Sequence, residues 1–110
     1  MQDVRVVITG LGCITPIGIG KDLFWNNLVA GKSGIGRITH FDPTNFACQI
    51  AAEVKDFDPS LYMDKKDARR IVRFIQFAIA ASKMAVDDAK LIINEKNATQ
   101  IGIWIGSGIG

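Results

Sequence analysis

Runs of apolar residues divide the chain into predicted strands and helices. Residues 4–11 are apolar and β-branched and end between two glycines, which predicts a central strand. Residues 101–105 repeat the pattern and lead into the glycine-rich residues 106–110, so we predict a second buried strand followed by a sharp turn. Residues 49–54 predict a weaker strand, whereas residues 31–48 are rich in turn-forming residues and predict a long irregular connection.

Two segments have helical spacing. Residues 21–30 predict a short helix that ends at Gly31, because glycine tolerates the left-handed conformation after a helix. Residues 65–89 predict a long helix, with Asp64 as its cap and Asp67 completing a capping box. The order of strand, helix, strand, long helix and strand indicates an α/β protein, and we predict one segment, residues 1–110, without an internal domain boundary.

The middle of the long predicted helix is apolar on nearly its whole circumference. Between residues 71 and 81 the polar side chains are Arg73 and Gln76. A helix of this kind is buried on most sides, and the few other predicted elements are too small to cover it. We therefore expect this chain to be the front part of a larger protein, in which the remainder or a second subunit covers the helix.

The start of the same predicted helix is basic. Lys66, Arg69, Arg70 and Arg73 follow the spacing i, i+3, i+4 and i+7, which brings them to one side of a continuous helix. Such a run is most often a solvated face. The alternative is a docking patch for an acidic partner. It is favoured by the position of the cations near a helix N-terminus, where they oppose the helix dipole.

Composition narrows the class of protein. The 110 residues are 48% hydrophobic and 22% charged, which is typical of a globular chain, and the net charge of +2 does not indicate nucleic-acid binding. The sequence has no apolar stretch long enough for a bilayer and no signal-peptide pattern at its start, so we expect a cytoplasmic location without membrane contact. Cys13, Cys48 and His40 are too few and too far apart to predict a metal site, and both cysteines are expected to be free, structural thiols.

Each local motif that could indicate binding or catalysis lacks a residue that the chemistry requires. Gly10 and Gly12 resemble the start of a dinucleotide-binding fingerprint, but Thr15 replaces its third glycine and Pro16 follows at once. A stand-alone nucleotide-binding module therefore remains an alternative. Neither Cys13 nor the loop residue His40 has a recognisable catalytic partner, and the glycines around Ser107 lack the spacing of a nucleophile elbow.

Several segments match one family in order and at the expected spacing. They are residues 6–12 (VVITGLG), 15–18 (TPIG), 24–25 (FW), 31–35 (GKSGI), 39–43 (THFDP), 51–54 (AAEV), 67–70 (DARR), 73–77 (RFIQF) and 105–110 (IGSGIG). Together they resemble the opening of the β-ketoacyl-[acyl-carrier-protein] synthases, most closely the type II condensing enzymes of bacterial fatty-acid synthesis. The resemblance extends over essentially the whole chain.

The resemblance implies a thiolase-like fold, of which this chain is the first part of the N-terminal half. It implies an acyltransferase that joins an acyl thioester to malonyl-acyl-carrier-protein with decarboxylation, as a homodimer and without a cofactor. In the family, the reactive cysteine and two histidines follow the GSGIG segment. The resemblance thus assigns no catalytic residue to these 110 residues, which we expect to be inactive alone.

Two functional features are carried over by position from the resembled family. Lys66, Arg69 and Arg70 match the basic segment that meets the acidic acyl carrier protein, and Ile109 matches an isoleucine that lines the acyl-chain pocket. The chain departs from the family at residues 71–72, where Ile-Val replaces a common Met-Asp, and at Arg37, where proline is frequent. A non-catalytic carrier-protein interaction domain remains a further alternative.

Overall fold

Short strands and helices form within residues 3–109, the part of the chain that the computed structural model describes. Met1, Gln2 and Gly110, the last position of the predicted glycine-rich turn, lie outside it. The strands and α-helices are β1 (Ile14–Thr15), β2 (Gly18–Ile19), α1 (Lys21–Val29), β3 (Ile35–Arg37), β4 (Ile50–Ala52), α2 (Lys65–Ala68) and α3 (Arg73–Asp88). Two 3-10 turns, Pro59–Leu61 and Ala98–Gln100, complete the described elements.

The helix predicted at residues 21–30 is confirmed as α1, which directly follows a small hairpin of β1 and β2. The helix ends at Gly31, whose φ of 69° is left-handed. The N–H of Gly31 donates to the Leu28 carbonyl at 3.0 Å, and that of Lys32 donates to the Asn27 carbonyl at 3.0 Å. These two bonds form a Schellman motif, which confirms the predicted role of the glycine.

A second antiparallel hairpin joins β3 to β4, with Ile35 opposite Ala52 and Arg37 opposite Ile50. The predicted strand at residues 49–54 is thus confirmed, although it is shorter than expected. The prediction that residues 31–48 are irregular throughout is wrong at β3. The segment has a weak local strand signal and becomes a strand because β4 supplies its hydrogen-bonding partner.

The strands predicted at residues 4–11 and 101–105 are not formed as predicted. Neither segment pairs with another strand within residues 3–109. The apolar pattern describes side chains suited to a buried strand, but a strand also needs a neighbour for its backbone hydrogen bonds. Their side chains remain exposed, as in Val6 at 91% and Trp104 at 99%.

The single helix predicted for residues 65–89 is also wrong, because the structure divides it into α2 and α3. The break contains Ile71 and Val72, whose neighbouring crowded side chains disfavour a helix. Val72 adopts an extended conformation with a ψ of 158° and occupies the N-cap position of α3 without a side-chain hydrogen bond. The periodicity of the sequence continues through these residues although the helical backbone does not.

Small residues hold the chain start against α3. A Cβ atom added at Gly12 would lie 2.1 Å from the Ala81 carbonyl oxygen, and one at Gly10 would lie 2.3 Å from that of Ala85. The Asp88 carboxylate accepts a hydrogen bond from the Leu11 N–H at 2.9 Å. The glycines are therefore needed for close packing of the backbone on the helix.

Apolar surface remains uncovered, as predicted. The radius of gyration is 17.4 Å, whereas a compact domain of this length has about 13 Å. Ala80 is the fully buried apolar residue of α3, while Phe74 and Ile75 are 41% and 38% exposed. None of the helices within residues 3–109 has the length and hydropathy needed to cross a membrane.

Candidate functional site

A basic surface, consisting of Lys66, Arg69 and Arg70, is formed by α2 and the two residues after it. All three side chains are exposed. The ion pairs found within residues 3–109 join Lys21 to Asp88 and His40 to Glu53, so no carboxylate of the described chain lies within 4.0 Å of a cation of the basic surface. Its positive charge is therefore free to meet an external anion.

Local hydrogen bonds shape this surface. The Asp64 carboxylate accepts from the Lys66 N–H at 2.7 Å and caps the start of α2 as predicted. The Arg70 N–H donates to the Asp67 carbonyl at 2.9 Å and closes the turn that follows. The return bond of the predicted capping box, from Asp64 to the Asp67 carboxylate, is not among the hydrogen bonds of residues 3–109. Asp64 alone therefore sets the start of the turn.

Arg73 does not belong to the basic surface, which corrects the predicted stripe of four cations. Its guanidinium donates to the Val54 carbonyl at 2.7 Å. The same group lies 4.9 Å from the ring centre of Phe77 and 5.9 Å from that of Phe57, within the range of a cation–π contact. Arg73 is exposed like the other cations, but these contacts already engage its guanidinium.

A groove of about 350 Å³ runs beside the basic surface. Its other wall is the 3-10 turn Pro59–Leu61, capped by Asp58. Hydrogen bonds from Ser60, together with the nearby charge of Lys65, lower the pKa of Asp58 below its ordinary value. The signal for this wall is the Asp-Pro-Ser sequence, since proline is typical of a first helical position. The groove thus combines cations with one fixed anion.

Ile109, the predicted acyl-pocket residue, is 96% exposed. The carbonyl of the same residue accepts a hydrogen bond from the Ser107 hydroxyl at 3.3 Å. A second cleft, with a volume of about 500 Å³, lies between the β1–β2 hairpin, α1 and the segment near Tyr62. Ile109 is not part of its lining.

The cysteines carry no activated nucleophile. Both are free thiols, as predicted. Burial raises the pKa of the Cys13 thiol, which disfavours the reactive thiolate. Cys48 is exposed rather than buried, in contrast to the structural role expected for it, because its side chain lies at the rim of β4 with Sγ 3.5 Å from the Ile50 carbonyl.

His40 is a hydrogen-bonding loop residue, as predicted. Its N–H donates to the Glu53 carboxylate at 3.2 Å, and its Nε2 lies 3.8 Å from the same side chain. Bonds from Thr39, led by its hydroxyl, lower the pKa of Glu53. Residues 3–109 contain no cluster of three or more His, Cys, Asp or Glu side chains that could hold a metal ion.

The glycines behind the nucleotide-binding alternative have another role. Gly10 and Gly12 face the backbone of α3 at distances that leave no room for a Cβ atom. A phosphate-binding glycine loop instead presents its backbone N–H groups to the ligand, whereas the Leu11 N–H is taken by Asp88. This geometry favours a packing role over nucleotide binding.

Comparison with known proteins gives a consistent result. Residues 3–110 match the family described as "Beta-ketoacyl synthase, N-terminal domain". The chain is 52% identical over its full length to 3-oxoacyl-[acyl-carrier-protein] synthase 2 of Synechocystis, and 51% identical to the protein of that name from Coxiella burnetii. It spans about a quarter of these relatives, namely 26% and 27% of their lengths.

A solved structure is also similar. The ishigamide ketosynthase/chain length factor superposes with a TM-score of 0.69 and 42% sequence identity. The match covers 78% of this chain and 21% of that one. The α/β architecture described above is therefore that of a part of a ketosynthase, in agreement with the thiolase-like fold expected from the sequence.

Proposed function

The chain belongs to the β-ketoacyl synthase family, and from that premise we propose that residues 1–110 are the N-terminal segment of a fatty-acid condensing enzyme. The observation that carries the proposal is the identity of 49 to 52% with relatives named 3-oxoacyl-[acyl-carrier-protein] synthase 2, which covers 99 to 100% of this chain. The name of these relatives describes the synthesis of a 3-oxoacyl group on acyl carrier protein.

In the proposed reaction, a cysteine thiolate first takes the acyl group and releases its carrier thiol. Malonyl-acyl-carrier-protein then loses carbon dioxide, and the resulting carbanion attacks the acyl thioester and frees the cysteine. In the resembled family, this cysteine and two assisting histidines lie in the part of the sequence that follows the GSGIG segment. Residues 1–110 contribute substrate binding, and we expect them to show no condensation alone.

We assign carrier-protein docking to the basic surface, Lys66, Arg69 and Arg70. Two observations support the assignment: these side chains are exposed, and no carboxylate within residues 3–109 pairs with them. Charges in such a position attract an oppositely charged partner and orient its approach. An acidic carrier protein has the complementary charge.

Ile109 would contribute to the wall of the acyl-chain pocket. Support comes from the family motif and from the exposure of this apolar side chain, which leaves it free to contact a chain or further protein. We also propose a cytoplasmic homodimer. The exposed apolar residues of α3, such as Phe74, offer surface for packing against further protein.

The direct test is a condensation assay with the full natural-length protein. Malonyl-acyl-carrier-protein and a radiolabelled acyl-carrier-protein are mixed with the enzyme, and 3-oxoacyl product and carbon dioxide are quantified. We expect both products in equal amounts. Their absence from a correctly folded sample would contradict the proposed activity.

Charge reversal tests the docking assignment. In the same protein, Arg69→Glu combined with Arg70→Glu should raise the KM for malonyl-acyl-carrier-protein about tenfold at low salt, because two attractive charges become repulsive. Lys32→Glu with Lys96→Glu changes the net charge equally at two other exposed positions. Equal effects of the two double variants would show that only the overall charge matters.

A further inference from the structure

The basic surface lies on a helix that is too short to fix its own orientation. Helix α2 contains four residues, Lys65–Ala68, which is about one turn. An isolated turn is unstable in water, since helix nucleation fixes several residues for one hydrogen bond. The direction of Arg69 and Arg70 must therefore come from contacts with other elements.

Gln76 of α3 supplies the contact on the far side of the turn. Its Nε2 donates to the Ala68 carbonyl at 2.8 Å and lies 3.4 Å from the Ile71 carbonyl. These two carbonyls directly flank Arg69 and Arg70 in the sequence. One side-chain amide thus holds both ends of the short segment that carries the two arginines.

The position of this amide makes its contacts effective. Gln76 lies in the first turn of α3 and is half-buried, in contrast to the exposed arginines. Its own N–H donates to the Val72 carbonyl at 3.2 Å, so the residue is part of the helical backbone. Hydrogen bonds shielded from water hold a backbone more firmly than exposed ones, because water competes less for the partners.

We propose that Gln76 is a positioning residue for carrier-protein docking, which it serves by holding residues 68–71 on α3. This inference rests on the proposed function, because it takes the basic surface as the docking site. Gln76 itself touches neither the carrier protein nor the reacting atoms. It acts by fixing the direction in which the side chains of Arg69 and Arg70 leave the backbone.

The test compares two substrates in the full natural-length enzyme. Gln76→Met keeps the size and neutral charge of the side chain but removes the donor. We expect the KM for malonyl-acyl-carrier-protein to rise about fivefold, with kcat unchanged. The KM for malonyl-coenzyme A, which carries the same thioester without the carrier protein, should not change.

Two further variants complete the design. Gln100→Met makes the same replacement at an exposed glutamine of the last 3-10 turn and should leave both KM values unchanged. Gln76→Asn retains the amide but shortens its reach by one carbon, so it should also raise the KM for malonyl-acyl-carrier-protein. It also provides the measurement if the methionine variant does not fold.

The outcomes separate this inference from the proposed function. An equal loss of kcat/KM with both substrates would mean that Gln76 supports the whole fold and would overturn the positioning role. Unchanged KM values in both Gln76 variants would overturn it as well. If charge reversal at Arg69 and Arg70 also leaves the KM unchanged, the docking assignment itself fails. If charge reversal raises it while the Gln76 variants do not, only the inference about Gln76 fails.

Discussion

Helices α2 and α3 are separated by residues 69–72 but are stabilised in opposite ways. Helix α2 is a single exposed turn, held at its start by Asp64 and at its end by Gln76. Helix α3 has 16 residues and packs its alanines against the glycines of the chain start. The comparison shows an exposed polar turn and a helix that packs through its alanines, both built from one stretch of sequence.

Two arginines make the contrast concrete. Arg70 is exposed and its side chain is free of carboxylates within the described residues. Arg73, three positions later, contacts Phe77 and the Val54 carbonyl. The same residue type thus has no carboxylate partner within the described residues on one side of the break and is engaged by an aromatic ring and a carbonyl on the other.

The largest expected effect is on the support. In Gly12→Ala, the new Cβ would lie 2.1 Å from the Ala81 carbonyl oxygen and 2.7 Å from the Ala85 nitrogen, which are both backbone atoms. We expect the free energy of unfolding of the full-length protein to fall by about 3 kcal/mol, because the chain start must move away from α3. Chemical denaturation monitored by circular dichroism measures this change.

A glycine of β3 provides the matched control. A Cβ atom at Gly36 would have no neighbour within 4 Å among the described residues, so Gly36→Ala should change the free energy of unfolding by no more than about 0.5 kcal/mol. Similar losses in the two variants would mean that the tight packing of Gly12 on α3 is not important for stability.

A smaller effect separates the two arginines. Arg73→Ala should lower the free energy of unfolding by about 1 to 2 kcal/mol, since it removes a hydrogen bond and a cation–π contact. Arg70→Ala should leave stability nearly unchanged and weaken carrier-protein binding instead. Paired measurements of unfolding and of carrier affinity test both statements, and a common pattern in the two variants would refute the division of roles.

The smallest effect concerns pH. Hydrogen bonds from Lys21 and from the Leu11 N–H lower the pKa of Asp88 at the end of α3. The stabilisation by this carboxylate is therefore fully present above the unfolded pKa of about 3.9 and is lost as the pH falls through the lower folded value. The stability difference between wild type and Asp88→Asn should shrink as the solution is acidified below about pH 4.

The neighbouring Asp87 gives a control for the loss of charge. Asp87→Asn removes a carboxylate from the same turn while both hydrogen bonds of Asp88 stay in place. Urea titrations of the three proteins at a series of pH values provide the comparison. A difference between wild type and Asp88→Asn that stays constant on acidification would contradict the role given to the ion pair with Lys21.

Predictions from sequence succeeded where the signal was local. The end of α1 at Gly31 and the cap at Asp64 were both predictable, because each depends on a few neighbouring residues and their backbone geometry. The basic residues Lys66, Arg69 and Arg70 were recognisable from the family motif. Their exposure and their separation from Arg73 required the structure, since periodicity does not show where a helix is interrupted.

Contacts between distant segments were not predictable. The Gln76 amide contacts carbonyls eight and five positions away across a break, and Gly12 contacts residues near position 81. The strand-like residues 4–11 show the reverse case, in which a strong local pattern formed no ladder within residues 3–109. The side-chain pattern shows that a segment is suited to a buried strand. Whether the strand forms depends on a neighbouring strand that pairs with it.

The sequence alone determined the family, the α/β character, the end of α1 and the start of α2, because these follow from motif order and from hydrogen bonds between near neighbours. The tertiary structure decided which arginine contacts other parts of the protein, what the glycines near the chain start pack against, and how a one-turn helix is held in place. These features depend on contacts between segments far apart in the chain, and the spacing of residues does not show which segments will be in contact.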